Sequence, residues 1–478
     1  SDAIKDQLAG WTASLLLAYQ LKSTSIELLH FTRPLIAAEK TKDINMSIYL
    51  SHQTLIFLDK LGITEKQLFT DFHASHSLGR FYRDWNEEGQ NETCVVCEYG
   101  VNFDNIEFQH YLTLLKSDVQ SSAYDHYSIA AVMAGSDKFV HPVTDERSIL
   151  STYCYGVNVC TKEYIKLIRA KALSIGVQEY CTEVTFSCEE KVDANNFAKY
   201  VTTHSLDEVK KEDIKFDFLF DCVKESNKSE EKTCYTTIMH VVNSPIDSVL
   251  TTELPLTSPL KTADVFQAYP FGYTKQTQLN NKQILQCYYH HRTSIKEITD
   301  QLACQNIALD LATSFTNSYK QYLCKTPWQG TRLLIGQASI NTDALADDFL
   351  DFINHDLSLW LKNFPRKTNM ESLASYYNES HYAYYAQVFD FITVHYQLSQ
   401  WRTDGFWEND CHQGTDFLEH LMQMFTQTGV VAQCEHQYLL SATPERYIRK
   451  EGTKIISQPI KGTAKRLRSK IDDDKIAS

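Results

Sequence analysis

The sequence runs to 478 residues, 43% hydrophobic and 22% charged, the makeup of a globular protein with room for two or three domains. Its net charge of −14 argues against a nucleic-acid partner, and its one basic run, Lys461 to Lys470, is followed by Asp472, Asp473 and Asp474. No apolar run approaches the ~18 residues of a membrane helix, and SDAIKDQLAGW lacks the regions of a signal peptide, so a cytoplasmic chain with no membrane partner is expected.

In chain order, LAGWTASLLLAYQLK from Leu8 carries Leu8, Trp11, Leu15 and Tyr19 near helical spacing and predicts a helix. SIELLHF, Ser25 to Phe31, alternates as a strand does, so the pair reads as the second half of a βαβ unit whose first strand is missing. Ser51 to Phe72 predicts a second helical region, and YIKLIRAKALSIG, from Tyr164, an amphipathic helix. EVTFSCEE and KFDFLFDCV read as strands, the latter buried on both faces, and Glu225 to Thr233 as a polar surface loop. Leu333 to Ile340 predicts another buried strand. Asp343 to Phe364 predicts a helix stopped by Pro365, and Tyr382 to Trp401 an aromatic one. Alternating strands and helices imply an α/β fold with a doubly wound core.

The 13 cysteines are scattered apart from Cys94 and Cys97, and no second pair at comparable spacing completes a zinc set. Reduced, mostly buried thiols are expected. His73 and His76, three apart on a helix, would be one-turn neighbours and half of a metal site, with no further ligand identifiable. His290 and His291, in an extended strand, would point to opposite faces and so not share an ion. No metal is expected. Trp11, Trp85 and Trp407 read as core aromatics, and His395 and Tyr396 as packing residues.

An ordered set of segments resembles the flavin-dependent tryptophan halogenases. These are Ala9–Gly10–Trp11, LGITEKQLF from Leu61, LGRFYRDW from Leu78, YIKLIRAKALSIGV from Tyr164, DFLFDC from Asp217, IGQAS from Ile335, and VFDFITVHYQLSQWRTDGFW from Val388. The resemblance implies a flavin-monooxygenase-like, Rossmann-type FAD module interleaved with a largely helical substrate module, together filling residues 1–430. It places Gly10, Asp221 and Gly336 at cofactor-contacting positions. The family's glycine turn, which lets a backbone approach a pyrophosphate, is replaced by Lys5, Asp6 and Gln7. Its Asp-Cys-Thr-Gly signature reads Asp221–Cys222–Val223–Lys224. Of the two groups that bind or polarise hypohalous acid, the lysine falls on Ser77 and the glutamate on Ala346, with Asp347 one residue beyond. The Trp-x-Trp-x-Ile-Pro motif is absent from Gly272 to Gln278.

The resemblance therefore implies a homologue with impaired or absent halogenation that keeps a pocket for an aromatic small molecule. FAD binding would require other residues to replace the glycine turn. An active FAD-dependent halogenase or monooxygenase, using residues such as Asp347 and served by a flavin reductase, is the alternative within the fold. A non-catalytic partner-binding protein is another.

Residues 431–478 resemble a different family. Ser441 to Arg446 and Pro459–Ile460–Lys461–Gly462–Thr463 are similar to the opening of the chorismate-utilising domain of aminodeoxychorismate and anthranilate synthases, as a short β-rich tail. That likeness implies Lys461 as a nucleophile and magnesium as cofactor, and an incomplete domain, since the family's magnesium ligands lie further downstream. The tail is expected to form at most a small hairpin.

Overall fold

The computed structural model describes residues 2–22, 26–32, 46–85, 89, 91–97, 99–103, 108, 111, 124–181, 183–187, 199–204, 212–223, 239–241, 244–256, 259–312, 314–346, 348–366, 369–398, 405–407, 415–428, 432–434, 437–439, 448–451 and 454–457. The fold is α/β, with mixed sheets and helices.

Two helix-to-strand units lie side by side. Helix Asp2–Gln20 leads into strand Leu29–Thr32, and helix Thr161–Ser174 into strand Gln178–Cys181, and the two strands pair in parallel, Leu29 opposite Gln178. Tyr164, Ile165, Ile168 and Ala172 form the buried stripe of the second helix and join Leu8, Trp11 and Leu15 of the first in one core. The first helix starts earlier than its apolar pattern predicts. Lys5, Asp6 and Gln7 are helical, because nothing in that stretch breaks a helix.

The region expected as one helix from Ser51 to Phe72 is two, His52–Lys60 and Glu65–Asp71. Thr64 caps the second, its hydroxyl accepting the Gln67 N–H while the Gln67 side chain accepts the Thr64 N–H. That reciprocal cap starts a new helix wherever it occurs. Leu333 to Ile340 is likewise divided into strand Arg332–Leu334, a turn at Gly336–Ala338 and the short strand Ile340–Asn341. The helix predicted from Asp343 begins at Phe349, after a turn at Ala344–Ala346, and runs to Lys362. The aromatic helix is longer than expected, Met370–Leu398.

The largest sheet is mixed rather than doubly wound. Its seven strands lie in the order Phe315–Ser318, Ser248–Leu254, Gln283–Tyr289, Gly272–Gln278, Asp264–Tyr269, Gly79–Arg83 and Asn91–Val95. All neighbours are antiparallel except Asp264–Tyr269 with Gly79–Arg83, which run parallel. A three-stranded sheet holds Gly156–Cys160 between Ser47–Leu50 and Ser75–Ser77. The tail carries two short antiparallel pairs, Ala432–Cys434 with Gln437–Leu439 and Ile448–Glu451 with Lys454–Ser457. Among the described residues no helix is long and apolar enough to cross a membrane.

Candidate functional site

The site starts where the chain steps from the three-stranded sheet into the seven-stranded one. Leu78 bridges the step, its N–H donating to the Thr262 carbonyl at 2.7 Å and its carbonyl accepting the Val96 N–H at 3.2 Å. Gly79 follows with φ +149°, and a Cβ there would lie 2.2 Å from the Cys94 carbonyl oxygen. Only glycine fits. Gly79→Ala is expected to destabilise the fold by at least about 2–3 kcal/mol, read as a lowered melting temperature; an unchanged melt would show that the strand junction yields.

Ser77 is buried, and among the described residues its hydroxyl donates to the Gly79 carbonyl, at 3.5 Å. It brings no charge. Ala346 closes the Ala344–Ala346 turn, also buried, and offers a methyl group. Asp347 lies outside the described residues. What joins the two regions is Arg80, whose partner no local spacing in the sequence marks. Its Nη1 donates to the Leu345 carbonyl at 2.8 Å and its Nη2 to Asp348 Oδ1 at 2.6 Å. Behind it Asp264 is buried, accepting from Asn158 Nδ2 at 2.9 Å with Lys275 Nζ at 3.8 Å, and burial pushes its carboxyl above the ordinary range. No local pattern in the sequence marks Lys275, because the strand GYTKQTQ that encloses it is largely polar.

Ala344, Leu345 and Ala346 pack into an aromatic cluster of Tyr82, Trp85, Phe266, Tyr273, Tyr396 and Trp407. Trp85 lies 5.4 Å from both Tyr273 and Trp407, near edge-on. Both indole N–H groups are committed, Trp85 to the His395 carbonyl and Trp407 to the Tyr269 carbonyl, each at 2.7 Å. These tryptophans are core, as expected. Burial pushes the His395 imidazole down to about 4, so it stays neutral. Tyr396 does more than pack, because its hydroxyl donates to Asp343 Oδ2 at 2.8 Å.

Gly10, Asp221 and Gly336, which the resemblance would put against a cofactor, have partners within the chain. Gly10 lies within the first helix, and a Cβ there would meet the His30 ring at 2.9 Å. His30 stacks on Trp11 at 3.7 Å and bonds Ser14 Oγ at 2.8 Å, and burial lowers its imidazole to about 4. Asp221 takes the Arg332 guanidinium on Oδ2 and the Val223 N–H on Oδ1. Gly336, at φ +61°, lets the turn approach the first helix, where a Cβ would stand 2.8 Å from that of Ala9. Lys5 extends over the Phe349 ring, 5.5 Å from its centre, in a cleft also lined by Ile4, Leu8 and Ile284. The described residues thus do not form the glycine cradle that FAD needs in the family manner, since helical side chains occupy positions 5–7.

His73 and His76 do not share a helix, because the helix ends at Asp71, His73 has φ +53° and His76 lies in strand Ser75–Ser77. His76 instead faces Glu65 and His141. His290 and His291 do not point apart either. The strand ends at Tyr289, and both imidazoles turn to Asp247. Lys461, Lys224, Pro459–Thr463, Ser441–Arg446 and Glu225–Thr233 lie outside the described residues.

Residues 8–448 match the tryptophan halogenase family, and the match runs on through Ser441–Arg446. Among curated proteins none matches the sequence. Solved structures share the fold. A flavin-dependent halogenase from Xanthomonas campestris superposes with TM-score 0.76 at 18% identity, over 89% of this chain and 83% of its own. One from a Brevundimonas species gives 0.77 at 16%, over 90% and 85%. A tryptophan halogenase from Shewanella frigidimarina gives 0.72 at 16%, over 87% and 81%. With a family match over most of its length, the chain belongs to the tryptophan halogenase family.

Proposed function

We propose that this chain is a flavin-dependent halogenase homologue whose halogenation is impaired or lost. The observation that carries this reading is the pairing of Arg80 with Asp348 at 2.6 Å. Ser77 and Ala346 supply neither the cation nor the carboxylate that would polarise hypohalous acid. The pair that stands between their segments is mutually satisfied. A preorganised charge stabilises a transition state only when it is free to face the reacting atoms.

Membership of the family implies FAD and a partner flavin reductase. In this chain the engaged Asp221, the helical positions 5–7 and the His30 ring against Gly10 all work against tight FAD binding in the family manner. Aromatic ligands would be sought at the cluster around Trp85 and Ala346.

The test supplies the purified chain with a flavin reductase, NADH, FAD, oxygen, chloride or bromide, and tryptophan or another electron-rich aromatic, and reads products by mass spectrometry. Loss of a positioned acid–base group costs roughly 10²–10⁴ in rate, so turnover at least about 100-fold below an active halogenase run in parallel is expected. A flavin titration beside it should show no saturable quenching. Halogenated product at rates comparable to the active control would overturn the proposal. It would favour a second reading, in which Arg80, held beside Ala346 by the Leu345 carbonyl, serves as the replacement cation.

A further inference from the structure

Glu65, His76 and His141 come from three separate segments. Glu65 is the first residue of helix Glu65–Asp71, directly after its Thr64 cap. His76 is the middle residue of strand Ser75–Ser77, whose outer two residues are buried, so His76 faces the other side of the strand from Ser77. His141 follows helix Ile129–Gly135 in irregular chain.

His76 Nε2 lies 3.0 Å from Glu65 Oε1, and His141 Nε2 lies 3.2 Å from the same oxygen. The two imidazole planes stand at 88°, with centres 5.1 Å apart. One ligand atom from each of the three residues lies within 4.8 Å of the others. Donor atoms around a tetrahedral ion at about 2.0–2.1 Å are roughly 3.3 Å from one another, so small side-chain movements would admit a cation among them.

The surroundings are those of a supported ligand set. Tyr155 donates its hydroxyl to Glu65 Oε2 at 2.6 Å, fixing the carboxylate from behind and leaving Oε1 to the imidazoles. Phe139 stacks on the His76 ring at 3.6 Å and 13°, and Phe69 lies 4.3 Å away on that ring, so the imidazole is held in place. His141 is 61% exposed, which opens one side to a water as fourth ligand. In the other such cluster among the described residues, Asp247 with His290 and His291, Oδ1 takes the His291 N–H at 2.6 Å and the Ser248 hydroxyl at 2.9 Å while Oδ2 faces both imidazoles, but its two histidines are sequence neighbours, so an ion there would tie together fewer segments.

We propose that Glu65, His76 and His141 bind a divalent transition metal of the zinc class, with Tyr155 orienting the carboxylate. Two imidazoles and one carboxylate suit zinc or cobalt rather than magnesium or calcium, which take all-oxygen sets. The ion would tie three segments together on the side of the strand opposite Ser77.

The full chain, stripped with a chelator, would be titrated with Co²⁺ and then Zn²⁺ while visible absorption is followed. One equivalent of Co²⁺ should raise d–d bands of tetrahedral intensity that Zn²⁺ abolishes. His141→Ala, at a largely exposed position, should remove the bands while circular dichroism stays unchanged. Tyr155→Phe should weaken binding by about 10-fold, the effect of losing an outer-shell partner. His291→Ala should leave the bands intact. No bands at millimolar Co²⁺, or bands that survive His141→Ala, would mean that the cluster is only a hydrogen-bonded group, and the proposal fails.

Discussion

Arg332→Leu is expected to destabilise the protein by about 3–5 kcal/mol, the cost of leaving one member of a buried ion pair without the other. Arg332 Nε donates to Asp221 Oδ2 at 3.0 Å, and its Nη2 reaches the same oxygen. Both residues are buried, 9% and 6% exposed, and they sit on paired parallel strands, Leu219 opposite Arg332 and Asp221 opposite Leu334. Without the guanidinium, Asp221 keeps, among the described residues, the Val223 N–H at 3.0 Å on its other oxygen. Two solvated ions gain little by pairing, because burial costs each its hydration. The double variant Asp221→Leu/Arg332→Leu should therefore recover much of the loss, which a thermal melt of all three proteins would read. A single variant that melts with the wild type would show that water replaces the guanidinium.

The parts of this fold that were legible in the sequence are those with a local period. The stripe Tyr164, Ile165, Ile168 and Ala172 repeats as a helix face must, and the structure buries it. The main sheet was not legible. Its strands DVFQAY and GYTKQTQ carry polar side chains although they are largely buried, so neither an apolar run nor a two-residue alternation marks them. Their polar groups are satisfied by distant parts of the chain, Asn158 for Asp264 and the Lys261 N–H for Gln278. The candidate site divides in the same way. Ser77 and Ala346 could be proposed from neighbouring motif residues, Leu78–Gly79 and Gly336. The Arg80–Asp348 pair could not, because 268 positions separate its members and no spacing rule spans that distance. Glu65 with His141 is hidden for the same reason. The break at Thr64, by contrast, was written in a Thr-x-x-Gln cap that helical periodicity alone overlooks.

Asp343 offers the second large effect. Its carboxylate is fully buried beside the Ala344–Ala346 turn. Oδ1 accepts from the Tyr273 hydroxyl and from the Leu345 N–H at 3.0 Å. Oδ2 accepts from Gln321 Nε2 at 3.0 Å and the Tyr396 hydroxyl at 2.8 Å. Burial holds both phenols well above their usual range, so they remain donors at any working pH. Asp343→Ala leaves four donors facing a void, and a loss of about 3–5 kcal/mol is expected, since each buried orphan costs about 1–3 and neighbours do not add fully. The same group gives a pH test of which force dominates. Burial opposes the charge, four hydrogen bonds favour it, and burial prevails, so the carboxyl sits above its ordinary 3.8. The folded state then holds this proton more tightly than the unfolded chain. The group's contribution to stability is complete below about pH 4 and declines as pH rises through the raised folded value. Asp343→Asn, which cannot titrate, should fall furthest behind the wild type in acid, with the gap narrowing toward neutrality. A gap that instead widens as pH rises would mean that the four donors outweigh burial and hold the carboxyl below its ordinary range.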